Sequence, residues 1–315
     1  MVLTNVIPKT RSELTLPGLE AAVGNTPLLP LQRLGADLSP DVQVYAKAEW
    51  FNPGGSIKDR PAFNILRTAL ERGELEGGKR FLDSTSGNMG ISYATFAAAL
   101  GIPLTLAIPS SASPERFAIL QALGAELKLS DPLESSDGAI HLAQQIYAVD
   151  PQRYYYANQY QNDANWQAHY LGTGPEIWHQ TGGQVTHFVC GLGTTGTFTG
   201  VGRYLAEQNP DIRLISMQPD SAFHGLEGLK HLETAAVPGI YDDSLPDWQL
   251  TVSTETAQEM TLRLAREEGL FVGVSSGAAA VAALNIARGL DEGIVVTVFP
   301  DAGYKYLSER FWESA

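Results

Sequence analysis

One lysine separates a glycine-rich turn from a predicted helix start in the stretch Asn52-Pro53-Gly54-Gly55-Ser56-Ile57-Lys58-Asp59-Arg60-Pro61. The two glycines allow the backbone to approach another group closely, and Pro61 favours the first turn of the helix. A lysine on a surface helix is usually a solvated charge. Held at such a junction and partly desolvated, Lys58 is instead a candidate nucleophilic amine or base.

Outward from this stretch, short apolar runs alternate with helical patterns. The predicted strands are Arg80–Ser84, Pro103–Ile108, Glu126–Leu129, His187–Leu192, Arg213–Met217 and Gly293–Phe299. The predicted helices are Gly90–Leu100, Pro114–Leu123, Asp137–Val149, Phe198–Gln208, Glu255–Glu268 and Gly277–Ala287. This alternation predicts an α/β protein with mostly parallel sheets, in two lobes with a ligand cleft between them. The long segment Asp220–Pro246 lacks periodicity, which is typical of a lid or binding loop.

Composition excludes several classes of partner. The chain has 315 residues, 44% of them hydrophobic, a net charge of −14 and a pI near 4.8, which disfavour nucleic acid and anionic membrane as partners. We expect no signal peptide and no membrane span, because no long apolar run is present. The single cysteine, Cys190, excludes an internal disulfide and favours a reducing cytoplasm. Six scattered histidines lack metal-ligand spacing, so no protein-bound metal is expected.

Three further loops lie between a predicted strand and a predicted helix, or open a helix. Ser84–Gly90 combines hydroxyls, an amide and glycines at a helix start, which suits a carboxylate or phosphate, although an ordinary capped turn has the same composition. Gly191–Thr197 interleaves threonines with glycines and fits a phosphate cradle, without a Walker or dinucleotide motif. Gly273–Ala278 alone predicts only a serine N-cap. Together with Lys58, these loops match the needs of a pyridoxal phosphate site.

At this point the sequence resembles the cysteine synthase group of fold-type II pyridoxal-phosphate enzymes, of the B type. The resemblance extends from Gly24-Asn25-Thr26-Pro27-Leu28 to Tyr306-Leu307-Ser308, and four motifs stand in family order. They are Asn52–Pro61, Thr85–Gly90, Gly193–Thr197 and Val274–Ala278. Four ordered motifs are far more specific than any one of them.

The fold implied by this resemblance is that of the tryptophan synthase β subunit. It has two three-layer α/β lobes with mostly parallel sheets and an active site in the interdomain cleft. The implied smaller domain is 49–156, with a mobile part at about 90–150. The larger domain, which binds pyridoxal 5'-phosphate, comprises 1–48 plus 157–315. A cytoplasmic homodimer is implied by the family alone.

The resemblance also implies a role for each motif. Lys58 is the Schiff-base lysine and the acid/base at Cα, and Asn88 bonds the ring hydroxyl of the cofactor. The phosphate is held by Gly193, Thr194, Thr195, Gly196 and Thr197. The substrate carboxylate is bound by Thr85, Ser86, Asn88 and Gln159, with backbone N–H groups near Met89. Ser275 faces the pyridine nitrogen.

The implied reaction is a β-replacement on an activated L-serine. A neutral serine hydroxyl at the ring nitrogen makes a weaker electron sink than a carboxylate partner, which disfavours transamination and suits β-elimination. An aminoacrylate intermediate then accepts sulfide at Cβ to give L-cysteine, with ping-pong kinetics.

Two positions depart from the family pattern. Most cysteine synthases have threonine where Met89 stands; either its side chain only packs, or it alters selectivity as in plant-type β-cyanoalanine synthases. Lys230 matches the place of an arginine in relatives that use O-phosphoserine, so it either binds a phosphate leaving group or is a solvated loop lysine. O-acetylserine and O-phosphoserine both stay open as donors.

Two alternative functions accompany this hypothesis. One is a related β-replacement with another nucleophile, as in a β-cyanoalanine synthase or an amine-using synthase of the 2,3-diaminopropionate pathway. The other is a weakly active homologue that binds a partner's C-terminal peptide for regulation. The intact pair Lys58 and Ser275 disfavours the second alternative.

Overall fold

The computed structural model describes residues 19–85 and 87–314. Within this part of the chain the strands are β1 (Leu28–Pro30), β2 (Asp41–Ala48), β3 (Arg80–Ser84), β4 (Leu104–Pro109), β5 (Glu126–Ser130), β6 (Tyr154–Tyr156), β7 (His187–Gly191), β8 (Arg213–Pro219), β9 (Trp248–Val252) and β10 (Glu292–Phe299). The α-helices are α1 (Asp59–Glu71), α2 (Asn88–Leu100), α3 (Pro114–Ala122), α4 (Ser135–Val149), α5 (Asp163–Ala168), α6 (Gly174–Gln180), α7 (Gly196–Gln208), α8 (Thr254–Arg263) and α9 (Val274–Ala287).

Shorter helical turns complete these elements. The π-helical turns are His169–Thr173 and Leu264–Glu268, and the 3₁₀ turns are Glu20–Ala22, Glu49–Phe51, Glu76–Gly78, Pro132–Glu134, Gly303–Tyr306 and Arg310–Ser314. Residues 220–247 contain no helix or strand. None of the described helices is both long and apolar enough to cross a membrane.

The chain divides into two compact units. The first contains the described residues up to Val23 together with Lys58–Asn165, and the second contains Gly24–Ile57 and the chain from Trp166 onward. One division therefore falls directly before Lys58, inside the glycine-rich lysine stretch.

The first unit is built on a four-stranded parallel sheet in the order β5-β4-β3-β6. The central strand β4 is buried along its whole length, as expected for a parallel sheet covered on both faces. Its largest core cluster includes Ile65 and Leu66 from α1, and Tyr93 and Phe96 from α2. This packing fixes the starts of α1 and α2, where the predicted lysine and carboxylate loops lie.

The second unit contains a six-stranded sheet in the order β1-β2-β10-β7-β8-β9. Only the β1–β2 pair is antiparallel within this sheet. The alanine-rich helix α9 is buried over most of its length. A Cβ atom at Gly277 would lie 2.2 Å from the carbonyl oxygen of Ala257, so glycine is needed for the close approach of α8 and α9.

The predicted α/β class with mostly parallel sheets is confirmed. The predicted strand Arg80–Ser84 matches β3, and the predicted helix Glu255–Glu268 is α-helical to Arg263 and then π-helical. Strand β2 was not predicted. It carries Lys47 at a fully buried position, where the ammonium group pairs with Glu176 at 2.7 Å. A charge inside a strand hides the apolar pattern on which the prediction depends.

Candidate active site

The turn ahead of Lys58 is held by the C-terminal segment of the second unit. The ammonium group of Lys305 donates to the carbonyl oxygens of Gly54 and Gly55, at 3.2 and 3.1 Å. The backbone N–H of Ile57 donates to the carbonyl oxygen of Pro300 at 2.8 Å. Gly55 has φ +76°, a conformation that favours glycine. The turn therefore has a fixed shape up to the residue before Lys58.

The start of the same turn is fixed by a buried amide. Asn52 Nδ2 donates to Glu49 Oε2 at 2.9 Å, and Asn52 Oδ1 accepts from the backbone N–H of Gly24 at 2.8 Å. Thr26 Oγ1 donates to Glu49 Oε1 at 2.7 Å. These bonds explain the motif at 24–28, because they join it to the beginning of the lysine stretch.

Lys58 is the half-buried N-cap residue of α1 in the first unit. The next residue, Asp59, is fully buried, and the hydroxyl of Ser92 on α2 lies 2.5 Å from its Oδ1. The same hydroxyl lies 3.0 Å from the carbonyl oxygen of Asn88. The N-termini of α1 and α2 are thus joined, and the structure brings Lys58 and Asn88 to neighbouring helix starts.

Thr85 shapes the loop that leads into α2. Its buried hydroxyl accepts hydrogen bonds from the backbone N–H groups of Gly87 and Gly90, at 3.1 and 3.0 Å. A Cβ atom at Gly90 would lie 2.5 Å from Thr85 Cγ2, so the loop requires glycine there. Ser86, a predicted substrate ligand, lies outside the described residues.

Met89 is 3% exposed and belongs to the hydrophobic core of the first unit. This position favours the alternative in which the side chain packs, rather than the one in which it alters selectivity. The backbone at this residue stays at the N-terminus of α2, where the first N–H groups of a helix have no intrahelical partner.

Gln159 is brought to the end of β3, although it is 75 residues away in sequence from Ser84. Its side-chain amide donates to the carbonyl oxygen of Ser84 at 2.7 Å. The amide of Asn165 donates to the carbonyl oxygen of Gln159 at 2.8 Å, which fixes the backbone there. The structure therefore places Gln159 beside the chain that enters the Thr85–Gly90 loop.

The predicted phosphate loop connects β7 to α7 in the second unit. Gly193 and Thr194 lie in the loop, Thr195 is the N-cap with φ +68°, and Gly196 and Thr197 open the helix. The hydroxyl of Thr195 is buried, and among the described residues it has no hydrogen-bond partner. A buried hydroxyl at a helix N-terminus is costly without a partner. This arrangement fits the phosphate group of pyridoxal phosphate, which would satisfy the hydroxyl and the helix N–H groups.

His169 was missed by the sequence analysis. It is buried in a π-helical turn, with Nδ1 2.9 Å from Thr173 Oγ1 and Nε2 3.3 Å from Thr197 Oγ1. The imidazole therefore positions a hydroxyl of the phosphate loop. A π-helical turn often marks a functional site, but it leaves no periodic signal in the sequence.

The loop around Lys230 lies against the phosphate loop within the second unit. The backbone N–H of Lys230 donates to the carbonyl oxygen of Leu192 at 2.8 Å, and a Cβ atom at Gly193 would lie 2.2 Å from the carbonyl oxygen of Gly228. Lys230 is 8% exposed, so it is not a solvated loop lysine.

Ser275 is buried in the first turn of α9. The start of this helix is fixed by the C-terminal motif: the N–H of Gly273 donates to the carbonyl oxygen of Asp301 at 3.2 Å, and Tyr306 donates to Asp301 Oδ2 at 2.7 Å. Ser275 therefore has a fixed place at a helix N-terminus in the same unit as the phosphate loop.

Each unit gathers its own set of predicted residues. Lys58, Thr85, Asn88, Met89 and Gln159 belong to the first unit, and the phosphate loop, Lys230 and Ser275 belong to the second. Within the described part of the chain, no group of three or more histidine, cysteine, aspartate or glutamate side chains is arranged to hold a metal ion.

Comparison with known proteins agrees with these features. The pyridoxal-phosphate dependent enzyme family matches residues 19–301. A cysteine synthase of Aquifex aeolicus is 50% identical over 291 residues, covering 91% of this chain and 89% of the relative, and a cysteine synthase B of Pseudomonas aeruginosa is 41% identical over 297 residues, covering 94% and 98%. The solved structure of a cysteine synthase from Entamoeba histolytica has a TM-score of 0.89 at 32% identity, covering 99% of this chain and 94% of that one. The resemblance predicted from the four ordered motifs is confirmed.

Proposed function

This chain belongs to the pyridoxal-phosphate dependent enzyme family, and we propose that it makes L-cysteine from an activated L-serine and sulfide. The observation that carries the proposal is the buried hydroxyl of Thr195 at the start of α7, which has no partner among the described residues and fits a cofactor phosphate. The relatives of the cysteine synthase type supply the reaction class.

Each part of the cofactor has a proposed holder in this chain. Lys58 Nζ would form the covalent link, Asn88 would bond the ring hydroxyl, the 193–197 loop would hold the phosphate, and Ser275 would bond the ring nitrogen. When bound, the cofactor withdraws electrons from Cα of the amino acid and so makes its proton acidic. A neutral hydroxyl at Ser275 leaves this withdrawal moderate, which suits departure of a group from Cβ.

The residues of the chain supply binding and proton transfer. The Thr85–Gly90 loop, including Ser86, and Gln159 bind the substrate carboxylate in this proposal, with help from the backbone near Met89 at the start of α2. Lys58 Nζ takes the proton from Cα, acetate or phosphate leaves Cβ, and sulfide adds there before the proton returns to Cα. The products are L-cysteine and the carboxylate or phosphate leaving group.

The reaction is tested directly with purified holoenzyme. We expect the visible band of the bound cofactor to change when O-acetyl-L-serine or O-phospho-L-serine is added, and to return when sulfide follows. One L-cysteine should form for each activated serine consumed. Failure of both donors to give L-cysteine would overturn the proposed function. Offering cyanide and an amine in place of sulfide tests the alternative nucleophiles.

Lys230 is proposed to recognise a phosphate leaving group, because it is buried and its loop lies against the phosphate loop. Lys230→Ala should raise KM for O-phospho-L-serine about tenfold, the usual cost of one hydrogen bond to a charged group, and leave KM for O-acetyl-L-serine unchanged. Steady-state kinetics with both donors measures the ratio.

Exposed Lys128 provides the matched control for this substitution, and Lys128→Ala should change neither KM. Lys230→Arg should retain use of O-phospho-L-serine, because a guanidinium also binds phosphate. Equal losses with the two donors in Lys230→Ala would show that the lysine only supports its loop.

The remaining parts of the proposal concern cellular context and domain motion. We propose a cytoplasmic homodimer that binds neither nucleic acid nor membrane, supported by the family resemblance, the net charge of −14 and the single cysteine. We also propose a smaller domain of 49–156, whose mobile part is about 90–150, and a larger cofactor-binding domain of 1–48 plus 157–315.

A further inference from the structure

Asp83 is a fully buried carboxylate at the carboxyl end of β3. Its Oδ1 accepts a hydrogen bond from the backbone N–H of Ser84 at 2.8 Å. Its Oδ2 accepts from the hydroxyl of Tyr93 at 2.9 Å and from the backbone N–H of Gln159 at 3.3 Å. Three donors from three different segments of the first unit therefore converge on one side chain.

These bonds continue the pairing of two chain segments beyond the end of their strands. The β3–β6 ladder reaches Leu82 and Tyr156, and the N–H of Ala157 donates to the carbonyl oxygen of Leu82 at 2.9 Å. Beyond this point Asp83 binds the N–H of Gln159, while the side chain of Gln159 binds the carbonyl oxygen of Ser84. The carboxylate thus joins the backbone of Ser84, which leads into the Thr85–Gly90 loop, to the backbone of Gln159.

The groups that face Asp83 are phenols. They are Tyr93 of α2, Tyr155 and Tyr156 of β6, and Tyr160 in the following loop. Burial is the main cause that raises the pKa of each phenol above its usual value, so all four are neutral near pH 7. Burial also raises the pKa of Asp83 to about 7, against the three hydrogen bonds, which lower it.

We propose that Asp83 is a positioning residue that holds the Thr85–Gly90 loop and Gln159 at the spacing required by the carboxylate of an amino-acid substrate. It acts through these two segments and does not itself contact substrate. The inference rests on the proposed function, in which both segments bind that carboxylate.

An asparagine cannot reproduce this arrangement. Its single oxygen accepts hydrogen bonds on one side only, and its NH₂ group is a donor on the other. In one amide orientation the NH₂ group faces the N–H of Ser84, and in the other it faces the N–H of Gln159. Asp83→Asn therefore loses one backbone hydrogen bond with almost no change in side-chain volume. Protonation of Asp83 in the wild type has the same effect, because a protonated carboxyl oxygen becomes a donor.

The experiment measures binding of L-serine to wild-type and Asp83→Asn holoenzyme through the visible band of the bound cofactor, from about pH 6 to about pH 8. Above pH 7 the ionised wild-type carboxylate makes all three bonds, so we expect L-serine to bind Asp83→Asn about tenfold more weakly there. As the pH falls through about 7, wild-type affinity should approach that of the variant, because protonated Asp83 loses an acceptor. KM for the activated serine should rise with little change in kcat.

Two further variants separate positioning from general stability. Tyr93→Phe removes one donor but keeps the carboxylate, so binding should weaken less and the pH midpoint should move upward, because the lost bond favoured ionised Asp83. Asp150→Asn makes the same charge change at an exposed residue and should bind L-serine like the wild type.

The outcomes distinguish this inference from the proposed function. If wild-type holoenzyme shows no band change with any amino acid or activated serine, the proposed function fails. If wild type responds and Asp83→Asn matches it in L-serine affinity and in KM at every pH, the positioning role of Asp83 is wrong. Should Asp83→Asn not fold, a Tyr93→Phe variant that binds L-serine as tightly as the wild type at every pH would equally contradict that role.

Discussion

Lys58→Ala should reduce cysteine formation at least about 10³-fold, because it removes both the proposed covalent link to the cofactor and the base at Cα. The fold should survive this change. Although Lys58 is the N-cap residue of α1, its side chain does not cap the helix, and the start of α1 is joined to α2 through Asp59 and Ser92. Loss of activity, with the same thermal midpoint for the apo forms of wild type and variant, is therefore the expected result.

Borohydride reduction followed by peptide mass measurement identifies the linked residue independently of turnover. Wild-type protein should carry the cofactor on the peptide that contains Lys58, and Lys58→Ala should carry none on any lysine. Lys128→Ala is the control, because it removes an exposed lysine and should retain label and activity. Substantial turnover in Lys58→Ala, or label on another lysine, would contradict the assignment.

The ordered motifs allowed much of the fold to be predicted from sequence, because parallel α/β units give strong local signals. Helix α7 follows this rule, since it buries Phe198, Val201 and Leu205 at helical spacing, and strand β3 was recognised as a short, continuously buried run. Strand β9 was missed because it is a largely exposed edge strand with little alternation. Its pairing with β8 is a long-range feature, and no local pattern encodes it.

The same contrast between local sequence signals and long-range contacts applies to the site. Glycine-rich loops at helix starts are visible in sequence, so Lys58 and the 193–197 loop could be predicted as site residues from local pattern alone. The residues that fix these loops were not found: Lys305 binds carbonyl oxygens of a turn about 250 positions earlier, and His169 lies beside Thr197 through a π-helical turn. Such supporting contacts depend on tertiary packing between distant segments.

Gly193→Ala should weaken binding of pyridoxal phosphate by roughly 5- to 150-fold, the effect of about 1–3 kcal/mol of overpacking. The added Cβ would lie 2.2 Å from the carbonyl oxygen of Gly228, a backbone atom that cannot swing away as a side chain can. The phosphate loop and the loop around Lys230 are also joined by the hydrogen bond from the backbone N–H of Lys230 to the carbonyl oxygen of Leu192. Relief of the clash therefore requires the phosphate loop itself to shift.

Cofactor titration of the apo protein, followed by absorbance, measures this effect, and Gly289→Ala is its control because the added Cβ there has only an ordinary contact at 3.5 Å.

Thr195→Val tests the same phosphate loop by a second route. Removing the buried hydroxyl, which lacks a partner within the described chain, should leave the apo protein as stable or more stable, yet weaken cofactor binding, because the hydroxyl gains its partner from the phosphate. Unchanged cofactor affinity in both Gly193→Ala and Thr195→Val would place the phosphate elsewhere. Weaker cofactor binding together with undiminished apo stability in Thr195→Val would show that the Thr195 hydroxyl contributes to cofactor binding and not to the stability of the apo protein.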